Sequence, residues 1–297
     1  MRGCGLSDRE GVEFSFEKFV EDLEAVIEAA GLGQFVLVGT AAGSAIGMTY
    51  AVRHPERVSH LVLYASFVRN KLAGSPTPLE VEEAQARLKV YELGWPNDTH
   101  AYGQFLTSLH MPDTSAEQFQ SLNDLVRRTT SPANAVALLQ TAFRIDVREI
   151  VPKVRCPTLV FHSRGDSVIR FEQGRSVAGL IPGARFVPLE SRNHVLLDTE
   201  PAWQQFVEAL DEFLPAAPAR PVGIGGTPLD ELTTREHEVL ELVAQGLDND
   251  AIGKQLHISK RTARNHVSLI LSKLGAKSRA EAIVRARDAG FGKKTTG

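Results

Sequence analysis

The chain has 297 residues, of which 43% are hydrophobic and 23% are charged. This balance excludes a disordered protein, and no run of about 18 apolar residues is present that would span a membrane. The two cysteines, Cys4 and Cys156, form neither a disulfide framework nor a metal cluster, and the start MRGCGLSDRE lacks an apolar signal core. We therefore expect a reduced, cytoplasmic protein with no metal or other cofactor.

The net charge of −3 conceals an asymmetry along the chain. Up to Leu229 there are 21 basic and 27 acidic residues, whereas the stretch from Asp230 onward has 12 basic and 9 acidic ones. From Lys260 to the end the count is 10 basic against 2 acidic residues. A basic end on an acidic body is typical of contact with nucleic acid, although a solvated helix face has the same charge.

The first part of the chain alternates helices and strands. Apolar residues recur at helical spacing between Phe19 and Ala30, and Gly31 then ends the helix. Four short apolar runs predict buried strands, and they are QFVLVG, VSHLVLYAS, CPTLVFHS and ARFVPLE. A helix follows the first strand, residues 78–143 are predicted to be mostly helical, and PAWQQFVEALDEFL closes the part as a helix. Strands separated by helices predict an α/β fold with a mostly parallel sheet.

A segment rich in proline and glycine, LPAAPARPVGIGGTPL, has no helical or strand periodicity and is predicted to be a linker. We place the first domain at residues 1–215, the linker at 216–229 and a second domain at 230–297.

The turn between the first strand and its helix reads Gly39-Thr40-Ala41-Ala42-Gly43. A strand, G-x-?-x-G and a helix form a nucleophile elbow, which lifts the middle side chain above the sheet. The order expected of the partners is nucleophile, acid and histidine, and Asp166 and His194 follow the third and fourth strands in that order. The middle position holds Ala41, which has no oxygen or sulfur with which to attack a substrate.

Taken together, RGCGLSD, this turn, HPERVSHLVLYAS and the loops around Asp166 and His194 resemble an α/β-hydrolase domain from Met1 to about Pro215. The resemblance implies a helical cap at about residues 78–143 over a cleft. It also implies further strands before RGCGLSD. We therefore expect either an incomplete sheet or a start codon upstream of Met1, and favour the latter because an incomplete sheet would expose a strand edge.

Three interpretations of the altered turn remain. Asp166 and His194 could serve a nucleophile elsewhere, they could form a structural or ligand-facing hydrogen bond, or Ala41 could be an engineered replacement of serine. We favour the second and expect no esterase activity, with Ala41, Asp166 and His194 as vestigial triad positions.

The tail contains the signals of a small all-α domain. Thr233-x-x-Glu236 and Ser278-x-x-Glu281 predict capping boxes, and Asp248 predicts the cap of another helix. After the short connection His257-Ile258-Ser259, one apolar stripe predicts the buried face of a longer helix, formed by Ala263, Val267, Ile270 and Leu274. A short helix, a three-residue turn and a second helix with a basic outer face form a helix-turn-helix, although a plain helical packing module shares the stripe.

The second helix of such a motif enters the major groove, where arginine reads guanine and asparagine reads adenine. The residues predicted to bind DNA, at base edges or at phosphates, are Lys260, Arg261, Thr262, Arg264, Asn265, His266, Ser268 and Lys273. The stretches LTTREHEVL, GLDNDAI, LHISKRT and KLGAKSRAEA are similar to the LuxR-type (GerE-like) DNA-binding domain. The resemblance implies a homodimer that binds two half-sites on double-stranded DNA.

The combination resembles bacterial transcription regulators that join a hydrolase-like domain to a LuxR-type tail. We expect a DNA-binding regulator whose first domain senses a small molecule or binds a partner, with no membrane contact. The alternatives are an esterase-like hydrolase with an appended DNA-binding or dimerisation tail, and a scaffold with a vestigial tail. Ala41 disfavours the former, and the intact basic face disfavours the latter.

Overall fold

The computed structural model describes residues 1–94, 100–215, 229, 232–256, 258 and 260–292. The chain divides into two units, Met1–Ala216 and Ala217–Gly297. The predicted linker at 216–229 lies outside the described residues except for Leu229. Within the described part, no helix is long and apolar enough to cross a membrane, and no group of three or more His, Cys, Asp or Glu side chains is arranged to hold a metal ion.

The first unit is built on a four-stranded parallel sheet in the order β1-β2-β3-β4. The strands are β1 (Phe35–Thr40), β2 (Val58–Tyr64), β3 (Thr158–Ser163) and β4 (Arg185–Leu189). All four lie within the predicted apolar runs to within a residue, which confirms the α/β class. Residues of β3 are buried throughout, as expected for a strand covered on both faces.

Helices cover both faces of the sheet. Side chains alternate along β2, so Leu61 and Leu63 join the core on the side of α2, whereas Val62 and Tyr64 join the core on the side of α8. The helices that flank the sheet are α1 (Phe16–Ala29), α2 (Ala42–Arg53), α7 (Phe171–Leu180) and α8 (Pro201–Phe213). Because α8 packs on β3 and β4, the same face of the edge strand β1 leaves Val36 and Val38 exposed.

Four helices form the segment that the sequence predicts as a cap. They are α3 (Pro78–Gly94), α4 (His100–His110), α5 (Ala116–Thr129) and α6 (Pro132–Phe143). Ser115 and Gln118 form a complete capping box at α5, and the Ser131 hydroxyl accepts the Asn134 N–H at the start of α6. The segment is therefore helical as predicted, and local hydrogen bonds fix the starts of α5 and α6.

The second unit contains α9 (Thr234–Ala244), α10 (Asn249–Leu256), α11 (Lys260–Leu274) and α12 (Arg279–Asp288). The predicted stripe is buried, since Ala263, Val267, Ile270 and Leu274 are all part of one core. Thr233 and Glu236 form both bonds of a capping box, and Asp248 Oδ1 accepts the N–H groups at the start of α10. The all-α tail is confirmed.

One predicted cap differs in detail. The Ser278 hydroxyl accepts the N–H of Glu281, but the Glu281 carboxylate accepts the N–H of Lys277 and not that of Ser278. The capping box predicted at α12 is therefore only half formed. The carboxylate still satisfies a backbone donor, one residue before the position that the motif predicts.

Four arginines of this unit act inside the fold. Each donates to a carbonyl at or just beyond the carboxyl end of a helix, where carbonyl groups lack partners and the helix dipole favours a cation. The donor and acceptor pairs are Arg235 with Leu256, Arg279 with Leu247, Arg285 with Leu274 and Arg287 with Ala244. These basic side chains therefore stabilise helix ends.

Candidate functional site

The strand-to-helix turn after β1 has the backbone of a nucleophile elbow. Ala41 lies between β1 and α2 with φ 48° and ψ −120°, a left-handed conformation that a residue with a Cβ adopts only under strain. Its N–H donates to the carbonyl of Tyr64 at 3.0 Å, which fixes the turn against β2. The chain thus keeps the strained geometry that displays a nucleophile, with a methyl group in its place.

Ser44 serves the turn as a structural residue. Its side chain is fully buried, and its hydroxyl lies 3.0 Å from the carbonyl oxygen of Gly39 and 3.3 Å from that of Tyr64. These contacts tie the start of α2 to the ends of β1 and β2. The Ser44 hydroxyl is therefore held inside the turn.

The two glycines of the turn differ in what surrounds them. A Cβ at Gly39 would meet the carbonyl oxygen of Gly43 at 2.7 Å and the Cα of Ser44 at 2.8 Å, whereas a Cβ at Gly43 would meet nothing within 4 Å. We expect Gly39→Ala to lower the free energy of unfolding by about 1–3 kcal/mol because backbone atoms must shift. Gly43→Ala is the matched control and should change it by less than about 1 kcal/mol. Equal losses in chemical denaturation would contradict this account of the turn.

Asp166 and His194 are brought together, as the order of the motifs predicts. His194 Nδ1 lies 2.8 Å from Asp166 Oδ2, and the N–H groups of Val168 and Ile169 donate to Oδ1 at 2.8 and 3.0 Å. Burial raises the pKa of Asp166, but these hydrogen bonds and the nearby imidazole outweigh it and hold the pKa below its usual value. The carboxylate therefore stays ionised and fixes the orientation of the His194 ring.

A cavity of about 170 Å³ opens above Ala41. His194 lies at its wall, so the turn and the histidine face one space, while Asp166 lies behind the histidine. Most of the lining is apolar and comes from the turn, from the loops after β2 and β3 and from the cap. These side chains are Ala41, Ala42, Phe67, Leu106, Leu109, Leu139, Ala142, Phe143, Val168 and Ile169. The polar side chains at its wall are Asn70, Arg87, Tyr91, His110 and His194.

The cap contributes polar residues to the cavity that no motif in the sequence predicts. Arg87 and Tyr91 lie on α3, one helical turn apart, and His110 ends α4. The His110 carbonyl accepts the N–H groups of His194 and Val195 at 2.8 and 3.0 Å, so the end of α4 anchors the loop that carries His194. Burial lowers the pKa of the His110 imidazole, and its Nδ1 lies 2.8 Å from the Leu106 carbonyl. The four-residue spacing of Arg87 and Tyr91 indicates that both side chains lie on one face of a helix. No local pattern shows that this face points into the cavity.

In the second unit, the outer face of α11 carries polar side chains opposite the buried stripe. Lys260, Arg264, Asn265 and Ser268 are exposed on this face. Thr262 and His266 are partly buried at its border, and the side chain of Arg261 lies outside the described part of the chain. The arrangement presents a guanidinium and an amide side by side, which are the groups that read guanine and adenine edges.

Lys273 occupies a different environment from the other predicted DNA contacts. Its Nζ lies 2.6 Å from Glu236 Oε2, and the same carboxylate oxygen accepts the N–H of Thr233 at 2.7 Å. The ion pair with Lys273 and the backbone bond at Thr233 lower the pKa of Glu236 to about 2. The pair ties α11 to the start of α9, and so Lys273 has a role inside the fold.

This ion pair predicts an acid-sensitive contact. We expect Glu236→Gln to destabilise α9 and α11 by about 2 kcal/mol at pH 7, because it weakens the cap and removes the carboxylate that pairs with Lys273. The folded pKa of Glu236 lies below the unfolded value of about 4.3, so the stabilisation is present above pH 4.3 and is lost as the pH falls toward 2. The protection of the α9 amides against hydrogen exchange should thus be lower in the variant than in the unchanged protein at pH 7. The two proteins should show equal protection near pH 2.

The matched control is Glu238→Gln, which removes a half-exposed carboxylate of the same helix that pairs with Arg235. This control variant should change the free energy of protection of the α9 amides by less than about 0.5 kcal/mol. A Glu236→Gln effect that persists unchanged at pH 2 would show that ionisation of Glu236 is not its source.

Comparisons with known proteins match the two units separately. Residues 1–201 match the family model described as the alpha/beta hydrolase fold, and residues 230–286 match that of the bacterial regulatory proteins, luxR family. The transcriptional regulatory protein DesR of Bacillus subtilis is 50% identical over 60 residues, which cover 20% of this chain and 30% of DesR. The chain thus spans less than a third of that regulator.

Two further similarities concern the first unit. Pyrrolizixenacetamide deacetylase of Xenorhabdus hominickii is 24% identical over 217 residues, which cover 71% of this chain and 77% of the deacetylase. The crystal structure of a bromoperoxidase from Bacillus anthracis superposes with a TM-score of 0.60 at 23% identity, covering 71% of this chain and 78% of that one. At this identity the structural similarity shows the fold alone.

Proposed function

The chain belongs to the α/β-hydrolase fold family and carries a LuxR-type regulatory domain at residues 230–286, and we propose that it is a DNA-binding transcription regulator whose first domain binds a small effector. The observation that carries the proposal is the exposed polar face of α11 over a packed helix-turn-helix core. The residues proposed to contact DNA are Lys260, Arg261, Thr262, Arg264, Asn265, His266 and Ser268.

Lys273 takes a second role in this proposal. Since its ammonium is paired with Glu236 and only 25% of its side chain is exposed, we propose that it holds the position of α11 and that any phosphate contact is secondary. The domains are proposed as residues 1–215 and 230–297, joined by the linker at 216–229. A protein that reads chromosomal DNA acts in the cytoplasm, and two copies would place two recognition helices on two half-sites.

The effector site of the proposal is the cavity above Ala41. A ligand there regulates DNA binding only if it binds the DNA-competent and incompetent states with different affinities. The cavity touches the turn, the His194 loop, the loops after β2 and β3 and three cap helices, so a bound molecule would contact elements of both the sheet and the cap. An occupied cavity would thus change the packing of the cap on the sheet.

The second candidate function is ester or amide hydrolysis, which the intact hydrogen bond between Asp166 and His194 favours. We propose that this activity is absent because Ala41 supplies no nucleophile, and loss of a triad serine typically removes about 10⁶ in rate. The assay is hydrolysis of p-nitrophenyl acetate by the unchanged chain. Turnover that disappears in His194→Ala would overturn the proposal and establish an enzyme that uses another nucleophile.

The test of the regulator proposal is fluorescence anisotropy of the full chain with DNA from upstream of its own operon. Tighter binding to this DNA than to a scrambled sequence is the expected result, with a specificity ratio of at least about 10³ for a specific site. Equal affinity for both DNAs, with and without candidate effectors, would remove the basis for sequence-specific regulation.

A further inference from the structure

Arg87 places a positive charge in the cavity above Ala41 without a matching negative one. Its guanidinium donates through Nη2 to the carbonyl of Ser167 at 3.0 Å. Among the residues that the structure describes, no carboxylate oxygen lies within 4 Å of it. The nearest acidic residue on α3, Glu83, pairs instead with Lys71 and lies 3.7 Å from Arg170.

The surroundings compensate this charge only in part. Burial lowers the pKa of Arg87, yet a guanidinium stays protonated in proteins. Glu83 and Asp166 attract the guanidinium without contacting it, and the Ser167 carbonyl accepts one of its N–H groups. Asp166 lies behind His194 and is already satisfied by that ring and two backbone N–H groups.

The other titratable groups at the wall add no negative charge. His110 and His194 are neutral or positive, and Tyr91 is uncharged because burial raises its pKa. Arg87 is thus the permanently charged side chain at the wall of the described cavity, whereas most of the remaining wall is hydrocarbon. Such a space favours a ligand with one anionic end and an apolar body.

The volume limits the size of that body. A cavity of about 150 Å³ with apolar walls holds one benzene molecule, so 170 Å³ accommodates a body of about six carbon atoms next to the charged group. A planar carboxylate matches the fork of a guanidinium with two parallel hydrogen bonds. A phosphate dianion would require more donors than one arginine supplies.

We propose that the cavity binds a small monocarboxylate, with its carboxylate on Arg87 and its apolar body above Ala41 against the cap. The effector is thus an organic acid of about the size of benzoate or a branched short-chain acid. This proposal rests on the sensor role of the first domain, and it names the chemical class of the molecule that is sensed.

The test measures binding of benzoate to the full chain by isothermal titration calorimetry in the absence of DNA, with benzamide as the neutral probe of the same shape. We expect benzoate to bind at least about tenfold more tightly than benzamide, the difference that a charge-assisted hydrogen bond contributes. Isovalerate and its amide form a second pair that tests the class with a different apolar body.

Substitutions of single arginines test which side chain binds the carboxylate. Arg87→Met should abolish the preference for benzoate over benzamide while benzamide still binds, which also shows that the cavity remains folded, and Arg87→Lys should keep part of the preference. Arg170→Met is the matched control, because Arg170 is an exposed arginine beside the same cap that does not line the cavity. It should leave both affinities unchanged.

Each contrary result is decisive. Equal binding of benzoate and benzamide, or an unchanged preference in Arg87→Met, would show that Arg87 is not an anion site. No binding of either acid at its solubility limit would overturn the carboxylate assignment. Benzoate that binds through Arg87 but leaves DNA affinity unchanged in the anisotropy assay would instead overturn the sensor role and leave the site standing.

Discussion

Ala41→Ser is expected to give the chain ester hydrolysis at least about a hundredfold faster than the unchanged protein. The backbone at position 41 already has the strained conformation of a nucleophile elbow, with φ 48°. The histidine that would take the proton lines the same cavity, and Asp166 holds its ring at 2.8 Å. The variant adds the nucleophilic oxygen that position 41 lacks.

The expected gain is smaller than a complete triad provides. A full triad contributes about 10⁶ in rate, and the absence of one oxyanion donor removes about 10²–10³ of it. The N–H of Ala42, at the start of α2, is the donor that follows the nucleophile in such a turn. A second donor is not assigned in the described residues, so we expect a gain of at most about 10³–10⁴.

The experiment follows p-nitrophenol release from p-nitrophenyl acetate under single-turnover conditions. Ala42→Ser is the matched control because it places the same hydroxyl one residue further along the turn, and it should remain inactive. The double variant Ala41→Ser with His194→Ala should lose the gained activity. A folded Ala41→Ser protein without any burst would show that His194 is oriented for structure or ligand contact and not for proton transfer.

Arg264→Ala is expected to weaken binding to the specific DNA by about 1–3 kcal/mol, which is roughly 5- to 150-fold. Arg264 is exposed on the outer face of α11 next to Asn265, and it has no side-chain partner within the described part of the protein. Its guanidinium is therefore available for a base edge at no cost in internal contacts. The loss should be larger for the specific site than for scrambled DNA.

Anisotropy titrations with both DNAs measure this difference. Arg144→Ala is the control, since it removes an exposed arginine from the first unit and changes the net charge by the same amount. It should leave the ratio of the two affinities unchanged. If Arg264→Ala keeps its preference for the specific DNA, then another surface of the tail reads the sequence.

Local patterns were sufficient to predict the parts of the fold that local interactions form. The elbow, the four strands, the stripe from Ala263 to Leu274 and the caps at Thr233 and Asp248 all depend on residues a few positions apart. The helix α7 was not predicted, and its sequence FEQGRSVAGL contains two glycines, which weaken a helical pattern. Gly174 packs against the His162 ring, so tertiary contact supports this helix in place of propensity.

Two contacts that the sequence did not predict join residues far apart along the chain. Lys273 has the sequence position of a phosphate contact, but its partner Glu236 is 37 residues away. Arg87 bonds to a carbonyl 80 residues away and enters the cleft only because α3 crosses above the turn. No periodicity or motif reports such pairings, because they depend on how the elements pack against one another.

The arginines that cap helix ends in the second unit also determine how many counterions DNA releases when it is bound. Arg279, Arg285 and Arg287 donate to backbone carbonyls, and Lys273 pairs with Glu236, so the fold holds these four side chains in place and we expect them to contribute little to phosphate contacts. The count of 10 basic residues after Ser259 therefore overestimates the number of phosphate contacts. A plot of the logarithm of the DNA-binding constant against the logarithm of the salt concentration should have a slope of about −3 to −5 per bound copy. Ten phosphate contacts would instead give a slope of about −9.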